Sequence, residues 1–387
     1  METPTRALGG PPATGQNPVN ALRGALTVGL CVVLAVLFWQ FLQVHYLYQD
    51  NWTSLFYTGA DYPMPEALAH EHIYRFPKVY GYDGQLYHLI AHDPFFTKGF
   101  ASYIDIPRLR YHRILVSALA ALFSFGRDEW VDRAYRMVIL GFIFLGTFWL
   151  ARWCAWRGRS VMWGMMFAIT PAAVTSGSLM VIDVALAALT IGAICYDEQE
   201  APTGLFLVLA CAALVRETGF LLVFAWCAWL LFQRQFRRAF LYSAAVLPAA
   251  GWWLFVQLHT GPGRDAWLSP IPLAGIIRTL SHPFVYDSGW RGSALVTLDR
   301  LGLLGMVIAL AFTYRDLLRP HTWRFAHFIG FAFAALATFL YSGDVWPEVA
   351  AFGRTFTPLL LIVTMSAITS RNWWKLMPLS LVMPRIG

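Results

Sequence analysis

The sequence predicts an all-α polytopic membrane protein, a bundle of about ten to twelve membrane helices with a large first outer loop that carries interfacial helices. Composition is the first observation: of 387 residues, 58% are hydrophobic, 16% aromatic and 13% charged. A soluble domain carries about 25% charged residues, so this chain has too few charges to cover a water-facing surface. The second is the recurrence of apolar runs, at 25–42, 137–151, 204–215, 240–258, 302–313 and 325–341. Most are long enough to enter or cross a hydrocarbon core of about 30 Å.

Residues 1–20, rich in Pro, Gly, Thr and Asn, read as a disordered cytoplasmic tail, and residues 21–387 as a single membrane domain. The apolar stretch after Arg23 is too long for a signal-peptide core and lacks a convincing cleavage site, so it reads as a retained first span. With Arg6 and Arg23 inside, that span exits near His45 and delivers 45–112 to the outer side. This first loop mixes aromatics with Asp50, Asp61, Glu66, Glu71, Asp83, Asp93 and Asp105, as expected of short interfacial helices. A second large outer segment, 259–300, carries Arg264, Asp265, Arg278, His282, Asp287 and Arg291. A third, 342–354, carries Asp344, Glu348 and Arg354.

The net charge of +7 does not point to nucleic acid, because the cations fall in short clusters between apolar runs and form no basic face. Arg152/Arg157/Arg159, Arg234/Arg237/Arg238 and Arg315/Arg319/Arg324 mark the cytoplasmic side by the positive-inside rule. The five cysteines contain no C-x-x-C pair and read as small core residues. Three short runs, 113–125, 135–151 and 161–176, do not all read as spans, and one of them is expected to be re-entrant or interfacial. The runs 204–215 and 218–232 meet at Val-Arg-Glu-Thr, which suggests two half-depth helices with a charged junction lining a cavity. Neither self-similar halves nor paired broken helices are evident, which disfavours an inverted-repeat transporter.

The segment from Gly81 to Pro94, GYDGQLYHLIAHDP, holds most of the chemistry. A helix starting near Asp83 puts Asp83, Tyr87, Ile90 and Ala91 on one stripe, with a carboxylate beside a phenol. By itself this leaves Asp83 open to two readings, a helix cap and a functional acid. Asp183, inside an apolar run, is equally divided between capping and lining a site. Arg113, Arg216 and Arg354 are candidates to grip a phosphate, since guanidinium offers a matched fork; the plainer alternatives are an interfacial anchor, an ion pair with Glu217 and a snorkelling helix end. His88 and His92 with Asp93, and the run His70-Glu71-His72, have metal-ligand spacing, but interfacial histidines are more often unliganded and no metal site is assigned.

The pattern Asp83-x-x-x-Tyr87-x-x-Ile90-Ala91 resembles a segment in the first outer loop of the polyprenyl-phosphate-dependent membrane glycosyltransferases of the GT-C superfamily, most closely the bacterial branch with Y-D-G-Q-x-Y followed by A-x-D-P. The resemblance continues through Arg110-Tyr111-His112-Arg113, Pro171 with Asp183, Leu214-Val215-Arg216-Glu217-Thr218, and Arg354 with Pro358, in order along most of the chain. Tyr82 stands where Trp is more usual, and there is no tight D-x-D after the first span.

The resemblance implies a GT-C-like bundle in the bacterial inner membrane, with its N-terminus cytoplasmic and its large loops periplasmic. It implies an inverting transferase taking a polyprenyl-phosphate-linked sugar to a glycan, lipid or protein acceptor. In those terms Asp83 is the catalytic base, Arg113, Arg216 and Arg354 bind the donor phosphate, and Gln85, Tyr87, Asp93, Asp183 and Glu217 contact substrate. The resemblance makes no cofactor certain, and a divalent metal is compatible with it. The competing readings are a transporter or lipid flippase and a non-catalytic partner in polysaccharide assembly; the large acidic first loop favours the enzyme, because transporters concentrate polar groups at the bilayer midplane. The topology has a direct test: a cysteine replacing Arg238 should resist an impermeant thiol reagent in intact cells, and labelling there overturns the orientation.

Overall fold

The computed structural model describes residues 18–262, 267–286, 289–319 and 323–386. Arg6 and the rest of 1–17 lie outside the described residues, as do Arg264, Asp265 and Asp287 of the second outer segment. The last three residues of the expected tail, 18–20, already belong to the first helix. Pro18 opens it, at a position where a missing amide hydrogen costs nothing.

The described residues are helical almost throughout. Four helices are long and apolar enough to cross a membrane: α1 (Pro18–Leu47), α5 (Asp128–Trp156), the continuous stretch Phe236–His259 and α13 (Trp290–Leu317). A fifth is added if α15 (Val349–Thr355) and α16 (Thr357–Ser370), bent by 65°, form one span. This is consistent with a multi-pass membrane protein, although length and composition qualify fewer spans than the ten to twelve expected from the apolar runs. The reason is that several runs are broken. The run 161–176 divides into a 3-10 turn, Val161–Phe167, and α6 (Pro171–Leu179). The run 204–232 divides at Arg216 into α8 (Pro202–Val215) and α9 (Phe220–Phe232). Helix α4 (Leu115–Phe123) has nine residues and rises about 14 Å, shorter than a hydrocarbon core, and it packs between α2 (Asp83–His92) and α5.

Helix α1 shows how the bundle meets its solvent. Leu22, Leu26, Leu30, Leu34 and Phe38 recur every four residues and all lie exposed, while Ala25, Val28 and Val32 are buried against the bundle. An apolar stripe of that length facing outward suits hydrocarbon and not water.

The first loop differs from the expected set of surface helices. It is folded from 3-10 turns at Trp52–Phe56, Glu66–Glu71 and Phe100–Tyr103, a two-residue parallel pair of β1 (Thr58–Gly59) and β2 (Arg75–Phe76), and helices α2 and α3 (Pro107–His112). Every residue of α2 from Gly84 to His92 is buried, so α2 is a core element roofed by the rest of the loop. Its first turn lies hard against the end of α6: a Cβ on Gly84 would stand 2.2 Å from the Leu179 carbonyl oxygen. Only glycine allows that approach.

Gly84→Ala should therefore destabilise the protein by about 1–3 kcal/mol through overpacking. Gly141→Ala in α5, where a Cβ meets nothing within 4 Å, should leave the thermal midpoint in detergent unchanged or raise it slightly.

Candidate functional site

Four irregularities of the backbone deliver charge to one end of the bundle. Asp83 opens α2 after Tyr82, which is extended and is the helix's actual N-cap. Asp183 opens α7 (Asp183–Glu198) three residues after Met180, in the αL conformation, has ended α6. Arg216 is fully extended between α8 and the 3-10 turn Glu217–Gly219, and the return is tight enough that a Cβ on Gly219 would overlap the Ala212 carbonyl. Arg354 sits in the last turn of α15, just before the 65° bend, where Pro358 in the first turn of α16 prevents the helix from running straight. From the first loop, α3 and the residue after it add Arg110 and Arg113.

These side chains form one continuous chain of alternating sign. Arg110 donates from Nη1 to Asp83 Oδ1 at 2.9 Å, and Arg354 Nη2 donates to Asp83 Oδ2. Arg354 Nη1 then reaches Asp183 Oδ2 at 3.3 Å, and Arg216 Nη1 donates to Asp183 Oδ1. Arg216 also lies 4.0 Å from Glu217, whose two oxygens accept a fork from Arg113, with Nε to Oε2 at 2.9 Å. Arg113 Nη1 ends the chain by donating to the Tyr87 hydroxyl at 3.0 Å. Arg110 also forks onto Asp105, so four guanidiniums face four carboxylates and the network is balanced in charge. Arg216 Nε and Arg354 Nε are buried donors with no partner. Buried donors without acceptors are costly, so the cluster is suited to receive an anion.

Asp83 is ionised in this setting. Burial alone would raise its pKa, but Arg354 and Arg110 outweigh burial and hold it well below the usual carboxylate range. Burial pushes the neighbouring Tyr82 phenol up to about 12, against the opposing pull of Arg354, whose guanidinium stacks 5.1 Å from the ring centre. Each oxygen of the carboxylate already accepts from an arginine, so an incoming hydroxyl competes with Arg110 and Arg354 for Asp83.

A cavity of about 410 Å³ opens beside the cluster and meets it at Arg216 and Glu217. Its other walls are polar at His112 and Gln257 and apolar at Trp253 and Leu340. Asp83, Tyr87, Asp183 and Arg354 do not line it, because their polar groups are turned on one another.

Seven of the nine sequence-derived site residues therefore meet: Asp83, Tyr87, Asp183, Arg113, Arg216, Glu217 and Arg354. Arg216 pairs chiefly with Asp183 and not with its neighbour Glu217, because the extended backbone there points successive side chains apart. Gln85 and Asp93 lie outside the cluster. Gln85 accepts from the Gly59 amide at 3.1 Å and donates to the Tyr80 carbonyl at 2.9 Å, tying α2 to the loop. Asp93 is wholly buried and accepts from the amides of Thr97 and Phe100, closing the turn after α2. Arg110 is the residue that sequence reasoning left without a role, although it shares a four-residue stretch with Arg113. Its position three residues before Arg113 was the available signal.

Fold and cluster together define a helical protein, consistent with multi-pass insertion, that gathers a buried arginine–carboxylate site at one end of its bundle. Comparison with family models, with curated proteins and with solved structures finds no match.

Asp183→Asn leaves two buried guanidiniums short of a counter-charge and should cost about 3–5 kcal/mol of stability. Asp105→Asn removes only a partly exposed partner of Arg110 and should cost less than about 1 kcal/mol. Because Asp83 titrates lower folded than unfolded, its contribution is complete above the unfolded carboxyl pKa of about 4 and is lost as pH falls below it. Unfolding midpoints in detergent at pH 3–7 measure both effects, and Asp83→Asn should flatten the acid limb.

Proposed function

We propose that this chain is an inverting glycosyltransferase of the GT-C type, moving a sugar from a polyprenyl-phosphate donor to a cell-envelope acceptor at the periplasmic face of the bacterial inner membrane. The observation that carries the reading is one ionised carboxylate, Asp83, held in a chain of four arginines that borders an amphipathic cavity at Arg216 and Glu217. The donor brings its own leaving group, so the protein must remove a proton from the acceptor and hold a departing phosphate. In the proposed reaction the donor phosphate draws Arg354 and Arg216 through their unpartnered Nε groups, which frees one oxygen of Asp83. That oxygen takes the proton of the acceptor hydroxyl as its oxygen attacks the anomeric carbon. The bond from that carbon to the phosphate oxygen breaks, the electron pair leaves with polyprenyl phosphate, and a single displacement inverts the configuration. Trp253 and Leu340 offer apolar surface to the first isoprenoid units, with Arg216 at the polar end of the cavity.

The same reading takes the broken and short helices as crossings, which brings the number of membrane segments to the expected ten to twelve. It sets the N-terminus in the cytoplasm and the 45–112 segment outside, in line with the arginine clusters.

Asp83→Asn tests the reading. It keeps the shape of the side chain and removes the base, so the protein should insert and fold, and transfer from a lipid-linked sugar should fall about 10²–10⁴-fold. Mass spectrometry of the detergent extract should find a polyprenyl phosphate or its glycoside with the wild-type protein. Near-normal transfer by Asp83→Asn moves the base elsewhere, and transport without transfer removes the enzyme reading.

A further inference from the structure

A second cluster of titratable groups lies at the other end of α2, apart from the arginine chain. Nε2 of His88, Nε2 of His92, a carboxylate oxygen of Glu71 and one of Asp132 all lie within 4.8 Å of one another. His88 and His92 are one helical turn apart on α2, Glu71 ends the 3-10 turn of the first loop, and Asp132 lies in the first turns of α5. The separations are 2.5 Å from His88 to Asp132, 3.1 Å between the two imidazoles, 3.5 Å from His92 to Glu71 and 3.8 Å from His92 to Asp132. Donors about 2.0–2.2 Å from one tetrahedral ion stand roughly 3.5 Å apart, so these atoms already surround a common point.

Hydrogen bonds leave part of this arrangement unmet. The carboxylate of Asp128 can only accept from His92 Nδ1, 3.2 Å away, so a neutral His92 presents a lone pair at Nε2. Lys98 fixes Asp128 in turn. His88 Nε2 has one hydrogen at most and faces both His92 Nε2 and Asp132. Glu71 is 8% exposed, and neither of its oxygens has a hydrogen-bond partner. Two carboxylates and two imidazole lone pairs converging on one point call for a dication.

We propose that Glu71, His88, His92 and Asp132 bind one divalent transition metal of the zinc class, as a closed four-ligand site. The Asp128–His92 pair is the outer-shell carboxylate that sets the tautomer of a ligating histidine. His88 is oriented by stacking on Phe56, with ring centroids 4.1 Å apart. Asp132 also borders a cavity of about 230 Å³ lined with Glu129, Arg133 and Arg136. From His92 to Asp83 the helix rises about 13 Å, so the ion does not touch the arginine chain. It staples the roofing loop to α2 and α5, and so acts as a positioning device for the helix that starts with Asp83. His70, His72 and Asp93, which share the sequence signal, are not among the ligands.

The test uses the full chain in detergent, with its affinity tag removed and after treatment with chelator. The wild type should take up one equivalent of Zn²⁺ in a calorimetric titration and unfold at a higher temperature when loaded. Co²⁺ should give visible d–d bands that Zn²⁺ abolishes. His88→Ala and Glu71→Gln should each weaken binding by at least about 100-fold and Asp128→Asn by about 10–100-fold, while the double variant His70→Ala/His72→Ala should bind as the wild type does. Failure of the folded wild type to bind Zn²⁺, Co²⁺ or Mn²⁺ overturns the proposal, whatever the stability of the variants. Undiminished binding by His88→Ala, or loss of binding in the His70→Ala/His72→Ala protein, places the metal elsewhere and equally overturns it.

Discussion

Asp183 is almost completely buried and carries a guanidinium on each oxygen, Arg216 on one and Arg354 on the other. A charge in that position survives only if its partners are held as firmly as it is, since desolvation otherwise drives it to neutrality or to the surface. The surrounding structure meets this demand in unusual ways. Helix α7 begins at the aspartate itself, α8 is interrupted so that Arg216 leaves the helical path, and the last described span bends by 65° so that Arg354 turns inward. Each irregularity gives up helical hydrogen bonds in an apolar setting, which is tolerated where the freed backbone is enclosed by protein. The broken helices and the charge cluster are thus one feature seen at two scales.

The alternation of sign has a functional corollary. Every guanidinium in the chain pairs with a carboxylate, although Arg216 and Arg354 each keep an unpartnered Nε, and a phosphate oxygen presents much the same acceptor geometry. An arriving phosphate can therefore replace a carboxylate without leaving a donor unpaired, and the displaced carboxylate becomes free to accept a proton. Under the proposed reaction this exchange couples donor binding to activation of Asp83, so that the base is unmasked only when there is a leaving group to stabilise.

Helix α2 connects this chemistry to the first loop. Its N-terminus offers Asp83 to the arginines and its second half offers His88 and His92 to Glu71 and Asp132, with Tyr87 between them as the terminus of the arginine chain. Gly84 lets the helix seat against α6, and Gln85 ties it to the loop above. A ten-residue helix clamped at both ends and buried along its length has little freedom to tilt. That rigidity matters for a catalytic carboxylate, because small displacements of a reacting group lose much of the benefit of positioning.

The sequence by itself determined the solvent, the helical class and the start of α2, because these rest on composition and on local rules of periodicity and capping. It also singled out seven of the residues that meet in the cluster, since an ionisable group in an apolar run has few uses other than pairing or function. It did not determine which groups pair. Asp83 and Arg354 are 271 positions apart and Arg113 and Glu217 are 104, and no local periodicity spans such distances. For the same reason the i, i+4 histidines were visible while Asp132, 40 residues beyond His92, was not, and without it the histidine pair had no closed ligand set. The break at Arg216 was legible as a charged junction between two short apolar runs, whereas the bend before Thr357 was not, because a hydrophobic stretch does not by itself reveal where its helix breaks. Burial of α2 was likewise decided by tertiary structure alone. The loop's composition suggested helices at the interface, whereas Gln85, His88 and His92 are buried because partners from the loop and from α5 satisfy them in three dimensions.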